Sequence, residues 1–240
     1  MKVHDCIQGS REWRQLRLGV PTASNFDKII TPKTGKPSSQ AEGYRMDLLA
    51  EMVLGQPLEK VKTEWMQRGN DLEPVAISYY EFQTDAETMP VGFITNDAGT
   101  VGASPDRIVN DDLLLEVKCP SAGQHLAYVL GKHGVDAEYR VQLQGQLFIA
   151  EKKAVDIISF HPQMPHAIVR IERDEDFIKL LDAELKSFVA ILTEKRDELD
   201  RRGLLAKTGP QPDHSKDFLT DEDVDRIIEA QRSGALELAQ

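Results

Sequence analysis

The residues best suited to chemistry in this 240-residue chain are two acids and a lysine near its centre. Asp106 ends the segment Gly-Ala-Ser-Pro-Asp, and the apolar segment Leu113–Lys118 places Glu116 two residues before Lys118. Magnesium is usually held by one or two carboxylates together with phosphate and water. A lysine adds positive charge where a phosphodiester transition state gathers negative charge, or acts as a base if burial lowers its pKa. The pattern predicts metal-dependent phosphodiester chemistry.

A strand that follows a hairpin turn would bring these three residues together. Side chains alternate between the two faces of a strand, so Glu116 and Lys118 share a face with Leu114, while the intervening residues are expected to face the core. Turn-forming residues at 110–112 predict a hairpin that folds Asp106 back beside Glu116. The alternative is that Glu116 and Lys118 form an ordinary ion pair on a solvated hairpin.

An arginine near the N-terminus precedes a possible anion site. Arg17 is followed by a Gly-Val-Pro break, and Ser24 with Asp27 forms a pattern typical of a capping box at the start of a helix at 25–30. The free N–H groups of a helix start bind anions, and a neighbouring arginine can grip a phosphate with two hydrogen bonds. The chemistry alone leaves Arg17 and Ser24 as either structural residues or phosphate ligands.

A further acid lies in the predicted helical region 63–82. Glu73 follows Gly69 by four residues and precedes Pro74, which either begins a new helix or kinks an existing one. Glu73 is therefore either a favourable acid near a helix N-terminus or a member of the site.

The predicted helix 137–150 carries three glutamines at every second residue, Gln142, Gln144 and Gln146. Neighbours on one helical face are three or four residues apart, so the three cannot share one face. Most of them are therefore expected to face solvent.

Read together, these motifs resemble one family. Pro-Asp at 105–106 with Glu-Val-Lys at 116–118 resembles the PD-(D/E)xK nuclease signature. Three further motifs are similar to those of the lambda exonuclease family of phage recombination nucleases, over about residues 13–173. They are Ser-Pro-Asp with Leu-Glu-Val-Lys-Cys-Pro, Arg-Leu-Gly-Val-x-Thr-Ala-Ser from Arg17, and the Gly-x-x-x-Glu helix. The resemblance implies an α/β fold, an α/β/α-layered core with a central mixed β-sheet flanked by helices. The order of predicted elements agrees with it.

The resemblance also implies the chemistry of the centre. Asp106 and Glu116, helped by the carbonyl of Val117, would hold Mg²⁺, or Mn²⁺ in its place, and Lys118 would orient or deprotonate the attacking water. Glu73 would support the metal site through water.

Two further roles follow from the same resemblance. Arg17 and Ser24 would hold the terminal 5′-phosphate of the DNA. Gln144, with Gln142 as its competitor, would be the glutamine near the site.

The activity implied is a 5′ to 3′ exonuclease of phage or prophage recombination. It would start at the ends of linear double-stranded DNA, release mononucleotides and leave a 3′ single strand. The family further implies a ring-shaped homotrimer and a partner single-strand annealing protein. Two alternatives stay open: an endonuclease of the same superfamily, and a non-catalytic scaffold that binds DNA or a partner protein.

Composition bounds the remaining possibilities. With 40% hydrophobic residues the chain can bury one substantial core. It has no apolar run of about 18 residues and its start lacks the apolar segment of a secretory signal, so we expect a cytoplasmic protein. The net charge of −11 argues at face value against a nucleic-acid partner. The charge is uneven, however: residues 1–40 carry seven Lys/Arg against three Asp/Glu, and residues 172–240 carry eleven against eighteen.

The predicted domain organisation is one nuclease domain with a tail. The domain spans residues 1–203 and includes a long amphipathic helix at 174–201 that is expected to cover the sheet. A linker containing Gly209 and Pro210 occupies 204–219. A short acidic helix at 220–240 completes the chain and would pack on the domain, a neighbouring subunit or a partner protein.

Overall fold

The computed structural model describes residues 1–58, 64–131 and 134–206. The C-terminal helix predicted at 220–240, and most of the linker before it, lie outside the described residues. No helix in the described ranges is long and apolar enough to span a membrane.

The described residues form six α-helices, one 3-10 helix and eight strands. The helices are α1 (Arg11–Leu16), α2 (Ala41–Leu54), α3 (Glu64–Thr84), α4 (Ala122–Val129), α5 (Val135–Ala150) and α6 (Glu175–Arg201), with a 3-10 helix at Ala23–Lys28. The strands are β1 (Lys2–His4), β2 (Thr88–Pro90), β3 (Phe93–Thr95), β4 (Gly102–Ala103), β5 (Arg107–Val109), β6 (Leu113–Lys118), β7 (Ala154–Ser159) and β8 (Ala167–Glu172). This mixed α/β architecture confirms the predicted fold class.

The main sheet has five strands in the order β2-β5-β6-β7-β8. Strands β5 and β6 form the predicted antiparallel hairpin, with Arg107 opposite Leu115. Its turn uses positive φ angles at Asn110 (45°) and Asp111 (65°), a conformation that short polar residues tolerate. Strand β7 is parallel to β6, which requires the long crossover supplied by α4 and α5. The strands of the smaller sheet lie in the order β1-β3-β4.

Helix α5 occupies the centre of the fold. It packs against the 3-10 helix, strands of both sheets and α6. Gly145 permits the closest approach, because a Cβ atom built there would lie 2.6 Å from a ring carbon of Phe26. Helix α6 packs mainly on α2 and α5, one layer outside the position predicted for it against the sheet.

Both faces of β6 are buried, which corrects the expectation of one core face and one polar face. Leu115 packs with residues of α3 on one side, including Ala76 and Tyr80. Leu114 packs on the other side with Leu143 and Leu147 of α5. The sheet is covered by a helix on each face, so the face that carries Glu116 also contains core residues.

A buried polar network ties α3 to the sheet. Tyr80 donates a hydrogen bond of 2.6 Å to Asp156 of β7, and Arg170 of β8 donates two more, of 2.8 and 2.9 Å. Buried charges need such partners. Helix α3 continues through Pro74 as one helix. The network anchors this helix and thereby fixes the position of Glu73.

Helix α1 and the 3-10 helix begin in different ways. Ser10 caps α1, and its hydroxyl accepts a hydrogen bond from the Trp13 N–H. The capping box at Ser24 and Asp27 is wrong, because the 3-10 helix already begins at Ala23 and its N-cap residue, Thr22, makes no side-chain capping bond.

The Gly145 contact generates a stability prediction. We expect Gly145→Ala to destabilise the protein by about 1–3 kcal/mol, since the fully buried Phe26 ring would have to move. Thermal unfolding measures this as a fall of about 2–4 °C in Tm per kcal/mol for a domain of this size.

Gly43→Ala in α2 is the matched control, because a Cβ atom there meets nothing within 4 Å. This change should be stabilising by roughly 0.5–1 kcal/mol through reduced backbone entropy of the unfolded chain. Equal Tm shifts in the two variants would contradict the packing argument.

Candidate active site

The β5–β6 hairpin positions the first carboxylate of the site. Asp106 immediately precedes β5, and its N–H donates to the carbonyl of Leu115 at 3.2 Å. Its Oδ2 accepts a hydrogen bond of 2.6 Å from the N–H of Val117. The side chain is thus fixed near the end of β6, at the residue that lies between Glu116 and Lys118 in sequence. This is the placement that the hairpin prediction requires.

Glu116 is the most buried charged group of the site, with 3% of its surface exposed. Its Oε1 accepts hydrogen bonds from Lys118 Nζ at 2.6 Å and from Gln142 Nε2 at 2.5 Å. Its Oε2 accepts one from Gln146 Nε2 at 2.7 Å. Three donors therefore hold the carboxylate, one from β6 and two from α5.

Lys118 is held at the same place by several contacts. Besides Glu116, its ammonium lies 3.5 Å from Gln142 Oε1 and 4.6 Å from the ring centroid of Tyr139. Burial acts to lower the pKa of Lys118, but the charge of Glu116 and the hydrogen bond to it outweigh burial, and the pKa is raised. Lys118 is therefore an ammonium donor in this arrangement, which favours orientation and charge stabilisation over action as a base.

The carboxylates repel one another. Burial raises the pKa of Asp106 well above its ordinary value, and the charges of Glu116 and Glu73 raise it further. Burial also raises the pKa of Glu73. The charge of Arg107 lowers this pKa, and the charge of Glu116 raises it further. Glu73 is thus within electrostatic reach of the centre. The site carries more negative charge than its own lysine compensates, which is the electrostatic requirement of a cation site.

The donor set fits a hard divalent cation. Across residues 1–58, 64–131 and 134–206, no three His, Cys, Asp or Glu side chains are grouped so that they alone could hold a metal ion. Magnesium does not need such a group, because one or two carboxylates with water and phosphate suffice. Asp106 and Glu116 supply those carboxylates, and the repulsion between them is what a cation would relieve.

Arg17 forms a second polar centre beside the first. Its guanidinium stacks on Trp13, 4.1 Å from the ring centroid, and donates to Ser104 Oγ at 3.2 Å and Thr22 Oγ1 at 3.4 Å. Burial lowers the pKa of Arg17. Within the described part of the chain its hydrogen-bond partners are hydroxyl groups, and none of its contacts is an ion pair. A half-buried guanidinium in this state is suited to bind an anion.

Ser24 lies at the edge of this second centre. It is exposed, and its Oγ is 3.4 Å from Thr22 Oγ1. Arg17 and Ser24 are therefore brought together through Thr22 rather than in direct contact.

The two centres are joined through one short segment, Ser104-Pro105-Asp106. Ser104 Oγ accepts hydrogen bonds from Arg17 and, at 3.0 Å, from Trp13 Nε1, while Asp106 two residues later is part of the acidic centre. Neither Trp13 nor Ser104 is indicated as a site residue by the sequence. Only the Ser-Pro-Asp motif marks the neighbourhood of Ser104, and no motif marks Trp13.

Gln144 is not a member of the acidic centre. Its Nε2 donates to the carbonyl of Glu172 at 2.9 Å, and its Oε1 accepts from the N–H of Asp174 at 2.8 Å. It joins α5 to the start of α6. Gln142 and Gln146, four residues apart on one helical face, contact Glu116 instead. The prediction that most of these glutamines face solvent is also wrong, since Gln144 and Gln146 are buried.

Comparison with known proteins gives the family. A family model described as a YqaJ-like viral recombinase domain matches residues 12–153, more than half of the chain. The chain belongs to the YqaJ-like viral recombinase family. This confirms the lambda-exonuclease-like resemblance, and the matched segment of the YqaJ-like chain contains both polar centres. A comparison with curated protein sequences gives no significant match.

Solved structures agree with this assignment. The YqaJ-like chain is similar to the crystal structure of an alkaline exonuclease (LHK-Exo) from Laribacter hongkongensis, with a TM-score of 0.72 and 29% identity over 81% of this chain and 98% of that one. The structure of LHK-Exo in complex with dAMP matches with 30% identity, the same TM-score and the same coverage. A phage-related exonuclease from Haemophilus somnus 129PT shares the fold, with a TM-score of 0.61 and 18% identity over 75% of this chain and 96% of that one. The YqaJ-like protein is a nuclease that acts on DNA.

The mutual repulsion of the acids generates a pH-dependent prediction. Because the pKa of Asp106 is raised in the folded protein, its contribution to stability is complete below the ordinary value of 3.8 and is lost as pH rises through the raised pKa. Asp106→Asn cannot ionise, so in EDTA its Tm should exceed that of the wild type at pH 8. The difference should shrink towards pH 4. Thermal unfolding at several pH values measures this.

Asp27→Asn is the control, because Asp27 is exposed on the 3-10 helix and a surface change of this kind shifts stability by less than about 0.5 kcal/mol. If the Tm values of the wild type and Asp106→Asn differ by the same amount at every pH in this range, the inferred repulsion at Asp106 is contradicted.

Proposed function

We propose that this nuclease is a Mg²⁺-dependent 5′ to 3′ exonuclease that acts on the ends of linear double-stranded DNA. It removes the 5′-ended strand as mononucleotides and leaves a 3′ single strand for annealing-type recombination. The observation that carries the proposal is the connection between the two polar centres. A group suited to bind a terminal phosphate, Arg17, is joined through Ser104 to the carboxylate Asp106.

Each residue of the acidic centre has a role in this proposal. Asp106 and Glu116, with the carbonyl of Val117, hold the cation, and Mn²⁺ can replace Mg²⁺. When bound, the cation supplies Lewis acidity for the attack of water on the phosphodiester. Lys118 places its ammonium beside the phosphate and stabilises the charge that develops there. Glu73 adds negative charge from α3 and orients water at the edge of the site.

The second centre sets the direction of digestion. Arg17 and Ser24 bind the terminal 5′-phosphate, with Thr22 and Ser104 completing the pocket. Because Ser104 and Asp106 are only two residues apart, we expect a phosphodiester close to the bound end to reach the acidic centre. Direction therefore follows from end binding, while the carboxylates and Lys118 act on whichever phosphodiester is presented to them.

The biological setting we propose is phage or prophage recombination in the cytoplasm. The nuclease acts as a homotrimer around the DNA and hands the exposed 3′ strand to a single-strand annealing protein. Support for this setting comes from the family membership and from the phage-related exonuclease that shares the fold.

The central experiment uses linear duplex DNA that is 5′-phosphorylated at one end only, incubated with Mg²⁺ and sampled over time. We expect mononucleotides from the strand with the phosphorylated end and no cleavage of closed circular duplex. Nicking of the circle would support an endonuclease instead. Absence of Mg²⁺ or Mn²⁺ binding that depends on Asp106 would support a non-catalytic scaffold.

Removal of the ammonium tests the acidic centre. Lys118→Met keeps most of the side-chain stem but removes the charge, so we expect the cleavage rate to fall by about 10²–10³-fold, the usual effect of losing one charge-stabilising donor. Initial rates on end-labelled duplex measure this.

Lys153→Met is the control, because Lys153 is exposed after α5 and pairs only loosely with Asp112, at 3.9 Å. It should digest DNA at the wild-type rate. Full activity in Lys118→Met would refute the role of Lys118.

Loss of the guanidinium tests the second centre. In Arg17→Lys the charge remains but the planar fork is lost, so the preference for 5′-phosphate over 5′-hydroxyl ends should fall. Arg17→Ala should reduce this preference by about 10–100-fold, corresponding to a hydrogen bond with a charged group of about 1.5–3 kcal/mol.

Arg14→Ala is the matched control, since Arg14 is an exposed arginine on the neighbouring α1. It should keep the preference. If Arg17→Ala lowers the rates on both kinds of end equally, Arg17 is a structural residue.

A further inference from the structure

Gln146 is an unusual residue for the interior of this protein. Only 1% of its surface is exposed, and it lies in the middle of α5. Its Nε2 donates to Oε2 of Glu116 at 2.7 Å, but its Oε1 is buried and has no hydrogen-bond partner among the described residues. Half of this amide is therefore satisfied by a charged group, and the other half is not satisfied at all.

The orientation of the Gln146 amide follows from Glu116. Exchange of its oxygen and nitrogen would place a carbonyl oxygen against a carboxylate oxygen, which is repulsive, so the hydrogen-bond pattern fixes the assignment. An unpaired buried acceptor carries a desolvation penalty. The protein tolerates this penalty in order to keep one donor on Glu116.

The two oxygens of Glu116 have different surroundings. Oε1 is held by Lys118 and Gln142, which are both partly exposed, whereas Oε2 is held by the buried Gln146. A ligand that arrives from solvent competes with the contacts of Oε1 first. Gln146 is then the contact that prevents rotation of the carboxylate.

We propose that Gln146 is a positioning residue of the nuclease, which acts through Glu116 by fixing Oε2 while Oε1 exchanges its partners for the cation. This inference rests on the proposed function. Groups that orient a ligating side chain commonly change metal affinity or activity by about 10–100-fold when removed. Gln146 does not touch the reacting atoms, so its effect is on the geometry of Glu116.

Gln144 provides a matched comparison two residues away on the same helix. It is equally buried, with 2% of its surface exposed, and both halves of its amide are satisfied by backbone groups of Glu172 and Asp174. Gln144 therefore stabilises the junction of α5 and α6. Gln146 instead keeps an unsatisfied atom in the interior. Substitution of the two glutamines should therefore change the free energy of unfolding by different amounts.

The experiment compares Gln146→Met with Gln144→Met in the full-length protein. Tm is measured in EDTA, and Mn²⁺ affinity is measured by electron paramagnetic resonance without DNA. We expect Gln146→Met to leave Tm close to the wild-type value, because removal of the unsatisfied oxygen offsets loss of the donor to Glu116. The variant should bind Mn²⁺ about 10–100-fold more weakly. We expect Gln144→Met to lower Tm by several degrees and to bind Mn²⁺ like the wild type.

The opposite pattern overturns the inference: a lower Tm in Gln146→Met with unchanged Mn²⁺ affinity would make Gln146 a structural residue. Gln146→Leu repeats the test with a different side-chain shape, and failure of both variants to fold would also overturn it. A wild type that binds no Mn²⁺ at Asp106 would refute the proposed function together with the inference. If the wild type binds Mn²⁺ and digests DNA, and Gln146→Met binds Mn²⁺ with the same affinity, the inference is refuted but the proposed function stands.

Discussion

The fold depends on a carboxylate that is buried at the end of a central strand. Glu116 is almost fully inaccessible, and a buried charge of this kind is stable only when hydrogen-bond donors surround it. One donor comes from the same strand, through Lys118, and two come from α5. Helix α5 must therefore pass within hydrogen-bond reach of the end of β6. The tight contact of Gly145 with Phe26 and the packing of α5 against both sheets hold it there.

The same site contains more negative than positive charge. Asp106, Glu116 and Glu73 act on one another through a partly desolvated space, and Lys118 compensates only part of their charge. Such an arrangement is costly in the isolated protein, and in the proposed function a cation bound together with a phosphate would offset that cost. The net charge of −11 is compatible with a DNA nuclease for a related reason. Steering of DNA depends on where positive groups such as Arg17 are placed rather than on their total number.

How far the sequence predicts this structure depends on how local each feature is. The hairpin that carries Asp106, Glu116 and Lys118 follows from strand alternation and from turn residues at 110–112, both of which are encoded within a few residues. The glutamine of the site was misassigned because the family pattern pointed to Gln144. The spacing of four between Gln142 and Gln146 marks the correct face, but nothing local shows which face of a helix meets a strand distant in sequence. The contacts of Ser104 with α1 are equally non-local and leave no periodic signal.

The segment Ser104-Pro105-Asp106 bears on the size of the product in the proposed reaction. The hydroxyl that contacts Arg17 and the carboxylate of the acidic centre are separated by one residue, and the proline between them has a fixed φ angle. In the proposed function, the group that holds the substrate end and the acidic centre are therefore linked through one short segment, not through two domains that move against each other. In the proposed reaction, a fixed separation of this kind would set the number of nucleotides that leave in each cycle.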